Sequence, residues 1–143
     1  MEYISKEHLE IRKLCKLYKI HDFKINDDGS IDTKYSVDLS NRDLDEIPIK
    51  FNQVRGYFDC SNNNNIKSLK NSPKIMEGHF ICSSNNITNL IHSPLYISEL
   101  FQCSNNPLKS LKGYNGSMDN LHYHGKEKFI RKEKFKKILD DRY

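Results

Sequence analysis

Four cysteines are the residues of this sequence with the most distinctive potential chemistry. Cys60, Cys82 and Cys103 recur at intervals of 22 and 21 residues, and Cys15 stands apart from them. A zinc site takes about four convergent ligands, usually with two cysteines separated by two to four residues, and the sequence has no such pair. Free cysteines behave as small hydrophobic residues in protein cores. The spacing therefore predicts reduced, buried thiols without a metal.

Two histidines and an aspartate pair suggest weaker metal sites. His122 and His124 would share one face of a strand, a geometry that can bind metal, but we favour a solvated or hydrogen-bonded terminal repeat. Asp27-Asp28-Gly29 lacks the spaced ligands and the closing glutamate of a calcium loop, so we expect a turn. The sequence contains no phosphate-binding glycine loop, nucleophile elbow or catalytic carboxylate pair. It predicts no enzyme, no cofactor and no metal site.

The elements that must position these residues are asparagine-rich repeats. One position recurs at intervals of 21, 22 and 21 residues, in the order Leu39, Cys60, Cys82 and Cys103. Because Phe-x-Cys has a period of two, its outer residues point to one face of a strand. One unit, a short strand plus a return loop, cannot bury its apolar side alone, whereas stacked units share a core. We therefore expect a parallel strand ladder with two core columns, one of the cysteines and one of Phe58, Phe80 and Phe101.

An asparagine near the end of each strand fits this ladder. A side-chain amide both donates and accepts, so it can satisfy backbone groups that the departing strand leaves unpaired. The candidates are Asn64 (or Asn63), Asn85 and Asn106. Arg42 stands at the equivalent place in the first unit, and the second unit carries one extra asparagine.

The repeat pattern resembles that of leucine-rich repeats. The third and fourth units fit L-x-L-x-x-N-x-L-x-x-L, with Phe and Cys at the first two apolar positions. The period lies at the short end of the ~20–29 residues of that repeat. The fuller unit is similar to F-x-C-S-x-N-x-L-x-S-L-x-G-x-P, which resembles short repeat proteins of tailed phages and other large DNA viruses. The resemblance covers about residues 23–125.

This resemblance implies a fold of class α+β, a short leucine-rich-repeat solenoid with a parallel strand ladder. It also implies a viral protein that acts in the host cytoplasm and modulates or inhibits a host protein, such as a defence component. The family is a scaffold with varied targets, so the resemblance identifies none of them. In the same alignment of units, His122 and His124 take the Phe and Cys positions of a truncated fifth unit.

The chain divides into a cap, a solenoid and a tail within one domain. We predict that residues 1–34 form an N-terminal cap, which consists of a helix that begins after Ser5 and a hairpin across residues 26–29. Residues 35–125 predict the solenoid, with four units and the truncated fifth. Residues 126–143 predict a basic helix.

Composition limits the function classes. The 143 residues suit one domain. No apolar run approaches the ~18–20 residues that span a bilayer, so we expect no membrane association. The start has no secretory pattern, and four cysteines are few for a disulfide scaffold. We therefore expect a cytoplasmic protein.

The basic tail is one candidate surface. Residues 126–143 hold eight basic and four acidic side chains. The basic side chains could contact phosphates in a salt-dependent complex with nucleic acid, and the candidates are Lys128, Arg131, Lys132 and Lys136. Because acidic residues are interleaved, we rank nucleic acid below another protein as the partner.

The outward face of the strand ladder is the preferred candidate surface. The residue between the two core positions points outward, as does the one before the pair. The two columns are Ser36, Tyr57, His79, Leu100 and Leu121, and Asp38, Asp59, Ile81, Gln102 and Tyr123. Exposed apolar patches with aromatic residues mark interaction sites. The predicted partner-binding residues are Tyr57, Asp59, His79, Ile81, Leu100, Gln102, Leu121 and Tyr123.

Several arrangements of this face stay open. A terminal helix or a second copy of the chain could cover it, so the protein is expected to be a monomer or a homodimer. A role in virion or structural assembly is a further alternative to binding a host protein.

Overall fold

The computed structural model describes residues 3–123. His124 and the predicted basic helix over residues 126–143, with its four candidate cations, lie outside the described residues. Within residues 3–123 there are one α-helix, α1 (Lys6–Leu17), ten strands and one 3-10 helix (Met118–Asn120). The strands are β1 (Phe23–Ile25), β2 (Ile31–Thr33), β3 (Val37–Asp38), β4 (Phe51–Arg55), β5 (Phe58–Asp59), β6 (Ile75–Glu77), β7 (Phe80–Ile81), β8 (Tyr96–Ile97), β9 (Phe101–Gln102) and β10 (Leu121–His122).

The strands form two parallel ladders that close about four turns of a β-solenoid. The first ladder has the order β3–β5–β7–β9–β10. The second ladder has the order β2–β4–β6–β8, and β1 pairs with β2 in antiparallel fashion at its edge. The predicted solenoid and its first ladder are confirmed. The prediction of one strand and a return loop per unit is wrong, because most turns contribute a strand to each ladder.

The second ladder supplies the opposite wall of the core. Val54, Met76 and Ile97 are in register across β4, β6 and β8. Val54 and Met76 are fully buried, and Ile97 packs partly against the same core. A chain whose inward residues are apolar on both walls can bury a continuous core with short strands, so no long strand is needed.

Helix α1 covers the start of the solenoid, as the sequence predicts. The Ser5 hydroxyl accepts a hydrogen bond from the His8 N–H at 3.1 Å, which satisfies one of the free amides at the helix start. The helix buries Cys15 and packs Tyr18 partly against the core. The Tyr18 ring also lies 5.5 Å from the Arg42 guanidinium carbon, and this cation–π contact joins the helix to the first turn.

The hairpin β1–β2 is also confirmed, and it continues directly into the second ladder. In its turn, the Asp28 carboxylate accepts hydrogen bonds from the Ser30 N–H at 3.0 Å and the Ser30 hydroxyl at 2.5 Å. Gly29 has a φ of 83°, which glycine adopts without a steric penalty. Because β2 pairs in parallel with β4, the cap and the solenoid share one sheet.

A column of aromatic rings fills the core behind the first ladder. The ring centroids of Phe58 and Phe80 are 5.4 Å apart, and those of Phe80 and Phe101 are 5.0 Å apart. At the two ends of the column, Phe51 packs edge-on against Phe58 and Tyr114 packs edge-on against Phe101, with ring centroids 5.0 and 5.3 Å apart. These separations lie in the ~4.5–7 Å range of favourable aromatic pairs, so the rings link successive turns.

The buried amide ladder consists of Asn63, Asn85 and Asn106. The Asn85 Nδ2 donates to the carbonyl oxygens of Cys60 at 3.0 Å and Cys82 at 3.1 Å, and its Oδ1 accepts from the Asn63 N–H at 3.3 Å. Each amide therefore bonds its own turn and the preceding turn. The structure also resolves the ambiguity in the second unit, because Asn63 is buried whereas Asn64 is exposed with a φ of 67°.

The fifth unit differs from its predicted register. Leu121 pairs with Phe101, and His122 pairs with Gln102. Leu121 is fully buried, so its predicted outward position is wrong, as is the assignment of His122 to the Phe position. The interval from Phe101 is 20 residues, whereas the intervals between the earlier strands of this ladder are 21 or 22 residues. This register buries an apolar leucine and leaves an imidazole exposed, which is the favourable choice.

Tyr123 moves with Leu121 in this register. Because it follows Leu121 by two residues, it occupies the column of the cysteines rather than the outward column. Its ring packs partly against the core, and its hydroxyl donates a hydrogen bond to the Asn106 carbonyl oxygen at 3.2 Å. The predicted outward position of Tyr123 is therefore wrong too.

Candidate protein-binding surface

Six of the eight predicted residues lie together on the outer face of the first ladder. Three of them directly precede the central strands β5, β7 and β9, namely Tyr57, His79 and Leu100. The other three are the second residues of the same strands, namely Asp59, Ile81 and Gln102. Neighbouring strands lie ~4.8 Å apart, so each set forms a regular column. We call these six residues the outer face.

The column of second strand residues has an apolar centre. Ile81 pairs with Asp59 on one side and with Gln102 on the other. Asp38 and His122 extend the column at its two ends. This column therefore changes from acidic at the first turns to apolar in the middle and to polar at the last turns.

Hydrogen bonds between turns fix the other column. The Tyr57 N–H donates to the Ser36 hydroxyl at 3.0 Å, and the Leu100 N–H donates to His79 Nδ1 at 3.1 Å. A ring nitrogen that accepts carries no proton, so a neutral His79 is protonated at Nε2. The bond at Nδ1 connects the turn of His79 to the next turn.

Glycines before the strands bring the turns close together. A Cβ atom at Gly78 would lie 2.1 Å from the Gly56 carbonyl oxygen, a distance that no side chain can adopt. Gly56 itself has a φ of 112°, a conformation that favours glycine. The backbone beneath Tyr57 and His79 is therefore closely packed and held in one arrangement.

The burial of the outer face is intermediate. Tyr57 keeps 43% of its surface exposed, and Ile81, Leu100 and His79 are half-buried. None of these side chains belongs to the buried core. The outer face therefore mixes apolar residues, Tyr57, Ile81 and Leu100, with the polar residues His79, Asp59 and Gln102, a mixture that occurs at protein interfaces.

The acidic end of this surface is ordered by serines. The Asp38 carboxylate accepts from the Ser40 hydroxyl at 2.6 Å and from the Ser40 N–H at 3.0 Å. Asp59 and Ser61 repeat this arrangement at 2.6 and 2.9 Å. The hydrogen bond from the Ser40 hydroxyl lowers the pKa of Asp38 below its ordinary value, so this carboxylate is charged at neutral pH.

A second apolar surface was not predicted from the sequence. Ile75 and Tyr96 pair on the outward side of the second ladder, and Leu95 precedes Tyr96. Tyr96 is 58% exposed and Leu95 is 68% exposed. In the sequence, this ladder is indicated only by the matching spacing of Val54, Met76 and Ile97. That spacing predicts the inward residues but does not predict which neighbouring residues point outward.

The cysteines are free and buried, as predicted. Burial raises the pKa of Cys103 to about 12 and the pKa of Cys15 to about 11, although nearby Arg12 lowers the latter slightly. Burial also raises the pKa values of Cys60 and Cys82. These thiols stay protonated at neutral pH, so they are poor nucleophiles.

Residues 3–123 contain no group of three or more His, Cys, Asp or Glu side chains placed to hold a metal ion. In the same part of the chain, no helix has the length and apolar content needed to cross a bilayer.

Comparisons with known proteins return no relative. No protein-family model, curated protein or solved structure matches this chain.

Proposed function

We propose that this protein is a binding module that recognises another protein through the outer face. The observation that carries the proposal is the position of Ile81 and Leu100, two half-buried aliphatic residues at outward positions in the middle of a strand ladder. An outward position that meets only water gains nothing from an aliphatic side chain, whereas an interface centre does.

The backbone under this face supports the same function. Each strand of the outer face is bonded to a neighbour on both sides, and the buried asparagines bond consecutive turns. A surface already held in one conformation loses little entropy when it binds a partner. The outer face is therefore suited to present a fixed pattern of contacts.

The charges on the outer face define the partner further. Asp59 lies next to Ile81, and Asp38 extends the same column by one more strand. A partner with an apolar patch and a basic group beside it is complementary to this arrangement. The resemblance of the repeats to viral repeat proteins extends the proposal to a viral protein that binds and modulates a host protein in the host cytoplasm.

Two isoleucines provide a matched test. Ile81→Asp places a charge in the outer face, and Ile75→Asp places the same charge at an outward position of the second ladder. Neither residue belongs to the buried core. We expect Ile81→Asp to weaken binding of the partner by about 30-fold or more, the effect of losing a central anchor, and Ile75→Asp to leave it nearly unchanged.

Quantitative capture from a host lysate, followed by titration of the captured protein with each purified variant, measures this difference. Circular dichroism melting of each variant checks that the fold is intact. A partner that Ile81→Asp retains and that Lys132→Glu with Lys136→Glu loses would contradict the proposal. Together with a steep loss of binding in salt, that outcome would favour nucleic acid and the basic tail.

A further inference from the structure

A cavity of about 330 Å³ lies at the corner of the solenoid that leads into the second ladder. Its walls come from three successive turns, at residues 50–51, 70–74 and 92–95. The size falls at the lower end of the ~300–1,000 Å³ range of small-molecule sites. We call it the corner cavity.

The corner cavity is lined by basic side chains and by no acidic one. Lys50, Lys70, Lys74 and His92 contribute to its walls. Lys50 forms one exposed ion pair, with its Nζ 3.4 Å from the Asp28 carboxylate. Lys70 and Lys74 have no carboxylate within salt-bridge distance among residues 3–123. Unpaired cations around a cavity favour a negatively charged ligand.

A buried hydroxyl in the cavity wall points to the same conclusion. Ser72 is 6% exposed and lines the corner cavity. Its Oγ is the one buried side-chain polar atom of residues 3–123 without a hydrogen-bond partner. A buried polar group without a partner is costly and calls for an explanation.

The equivalent residue of the next turn shows that this state is not imposed by the fold. Ser93 follows Ser72 by 21 residues, and its hydroxyl donates to the Gly113 carbonyl oxygen at 2.7 Å. Ser72 makes no such bond, although Asn71 and His92 hold the left-handed corner conformation with φ of 76° and 70°. The hydrogen-bonding capacity of its hydroxyl is therefore unused in the folded turn.

The rest of the wall is mixed, with the polar residues Asn71 and Ser93 beside two apolar ones. Phe51 and Leu95 line the corner cavity beside the lysines. Lysine ammonium groups are suited to phosphate oxygens, which they bind as point charges. We propose that the corner cavity binds a small phosphate monoester that carries an apolar group, with Lys70 and Lys74 on the phosphate, Ser72 donating to one of its oxygens, and Phe51 and Leu95 beside the apolar group.

Phenyl phosphate is the probe that tests this site on the full chain. Backbone amide NMR should show shifts confined to residues 50–51, 70–74 and 92–95, apart from Pro73 and Pro94, which have no amide hydrogen. Phenyl phosphate should bind at least about tenfold more tightly than phenol, because each charge-assisted hydrogen bond contributes that much or more. Inorganic phosphate should also bind more weakly, since it lacks the apolar group. Equal affinity for phenol or inorganic phosphate, or shifts spread over lysines throughout the surface, would overturn the proposal.

Lysine variants supply the next comparison. Lys70→Gln with Lys74→Gln should weaken binding of phenyl phosphate by about tenfold or more. Lys67→Gln with Lys109→Gln removes two exposed lysines outside the corner cavity and should change the affinity by less than about twofold, through screening-dependent long-range effects only. Equal effects of the two pairs would mean general charge attraction and would overturn the site.

The two serines separate a binding role from a structural one. Ser72→Ala should keep or raise the melting temperature of the free protein, because it removes an unpaired buried hydroxyl, and should weaken binding of phenyl phosphate. Ser93→Ala should lower the melting temperature, because it removes a hydrogen bond that the structure contains. A loss of melting temperature in Ser72→Ala as large as in Ser93→Ala, with unchanged affinity, would contradict the proposed role of the cavity wall.

Discussion

The two ladders of this solenoid stabilise the same core by different means. The first ladder repeats the same residue types. A phenylalanine of each of β5, β7 and β9 points into the core, and asparagine side chains form hydrogen bonds from turn to turn. The second ladder repeats only the apolar character of its inward position, with valine, methionine and isoleucine in register. Stacked rings and buried amides need one particular residue type, whereas aliphatic packing accepts several. The first ladder therefore has the more regular sequence, because its stacked rings and buried amides require particular residue types.

The largest expected effect tests the ring column of the first ladder. Phe80→Ala should lower the free energy of unfolding by about 3–5 kcal/mol, the usual cost of removing a fully buried ring, because Phe80 contacts a ring on each side. Tyr96→Ala removes a ring of the second ladder that is mostly exposed and should cost less than about 1 kcal/mol. Urea denaturation of both variants measures the difference, and similar costs would contradict the register of the first ladder.

The buried amides should follow in magnitude. Asn85→Ala leaves carbonyl groups of two turns and one backbone N–H without their partner, and unpaired buried groups cost about 1–3 kcal/mol. Asn86→Ala changes the exposed neighbour and should stay within about 0.5 kcal/mol of the wild type. If the two variants unfolded at the same urea concentration, the amide ladder would not contribute to stability.

Thiol reactivity distinguishes the ladders without a stability measurement. Burial holds all four cysteine thiols in the protonated form, with the pKa of Cys15 raised to about 11, so the native protein should react slowly with a thiol reagent at pH 8 and rapidly in denaturant. Tyr96→Cys adds a thiol at an exposed position of the second ladder and should react quickly in the native state. Fast labelling of the native wild type would mean that the cysteine column is accessible.

The smallest effect concerns two Asp-x-Ser turns, one beside each ladder. Hydrogen bonds from Ser30 lower the pKa of Asp28 to about 2, and those from Ser40 also lower the pKa of Asp38. A lowered pKa in the folded state stabilises the protein above the ordinary value of 3.8, and this contribution is lost as the pH falls toward the folded value.

NMR titration of the carboxyl carbons checks this prediction. Ser30→Ala should raise the pKa of Asp28 and Ser40→Ala that of Asp38, each toward the ordinary value, because each variant removes a hydroxyl donor. Both carboxylates are solvated, so the melting temperature at pH 7 should hardly change. Unchanged pKa values would show that the serines do not hold these carboxylates.

The first ladder was predictable because its chemistry leaves a pattern in the sequence. Phe-x-Cys at a fixed interval defines a strand, its inward face and its neighbours, and an asparagine after it defines the amide ladder. The choice between Asn63 and Asn64 was open, because an extra residue in a tight turn can precede or follow the buried amide. Only the three-dimensional turn decides which asparagine points inward.

The second ladder and the last turn were less predictable for physical reasons. Outward residues of the second ladder have no shared chemistry, as Gln53, Ile75 and Tyr96 illustrate, so they resemble loop residues in the sequence. Leu121 was misplaced because the last return is one residue shorter, and an interval alone does not say where the deletion falls. The corner cavity is formed by residues of three successive turns. It could be predicted only if the register of both ladders were known.

The turn-to-turn hydrogen bonds of Asn85 have a consequence for how the chain can change in length. Every bond of this amide reaches its own turn or the preceding one, and interactions in such repeats extend only to nearest neighbours. A duplication of residues 83–103, which is one repeat long, would add a step of ~4.8 Å to the stack and would keep each old contact or replace it by an equivalent one. The outer face can therefore gain or lose side chains in whole turns. Within one column, equivalent backbone positions are separated by multiples of the ~4.8 Å strand spacing.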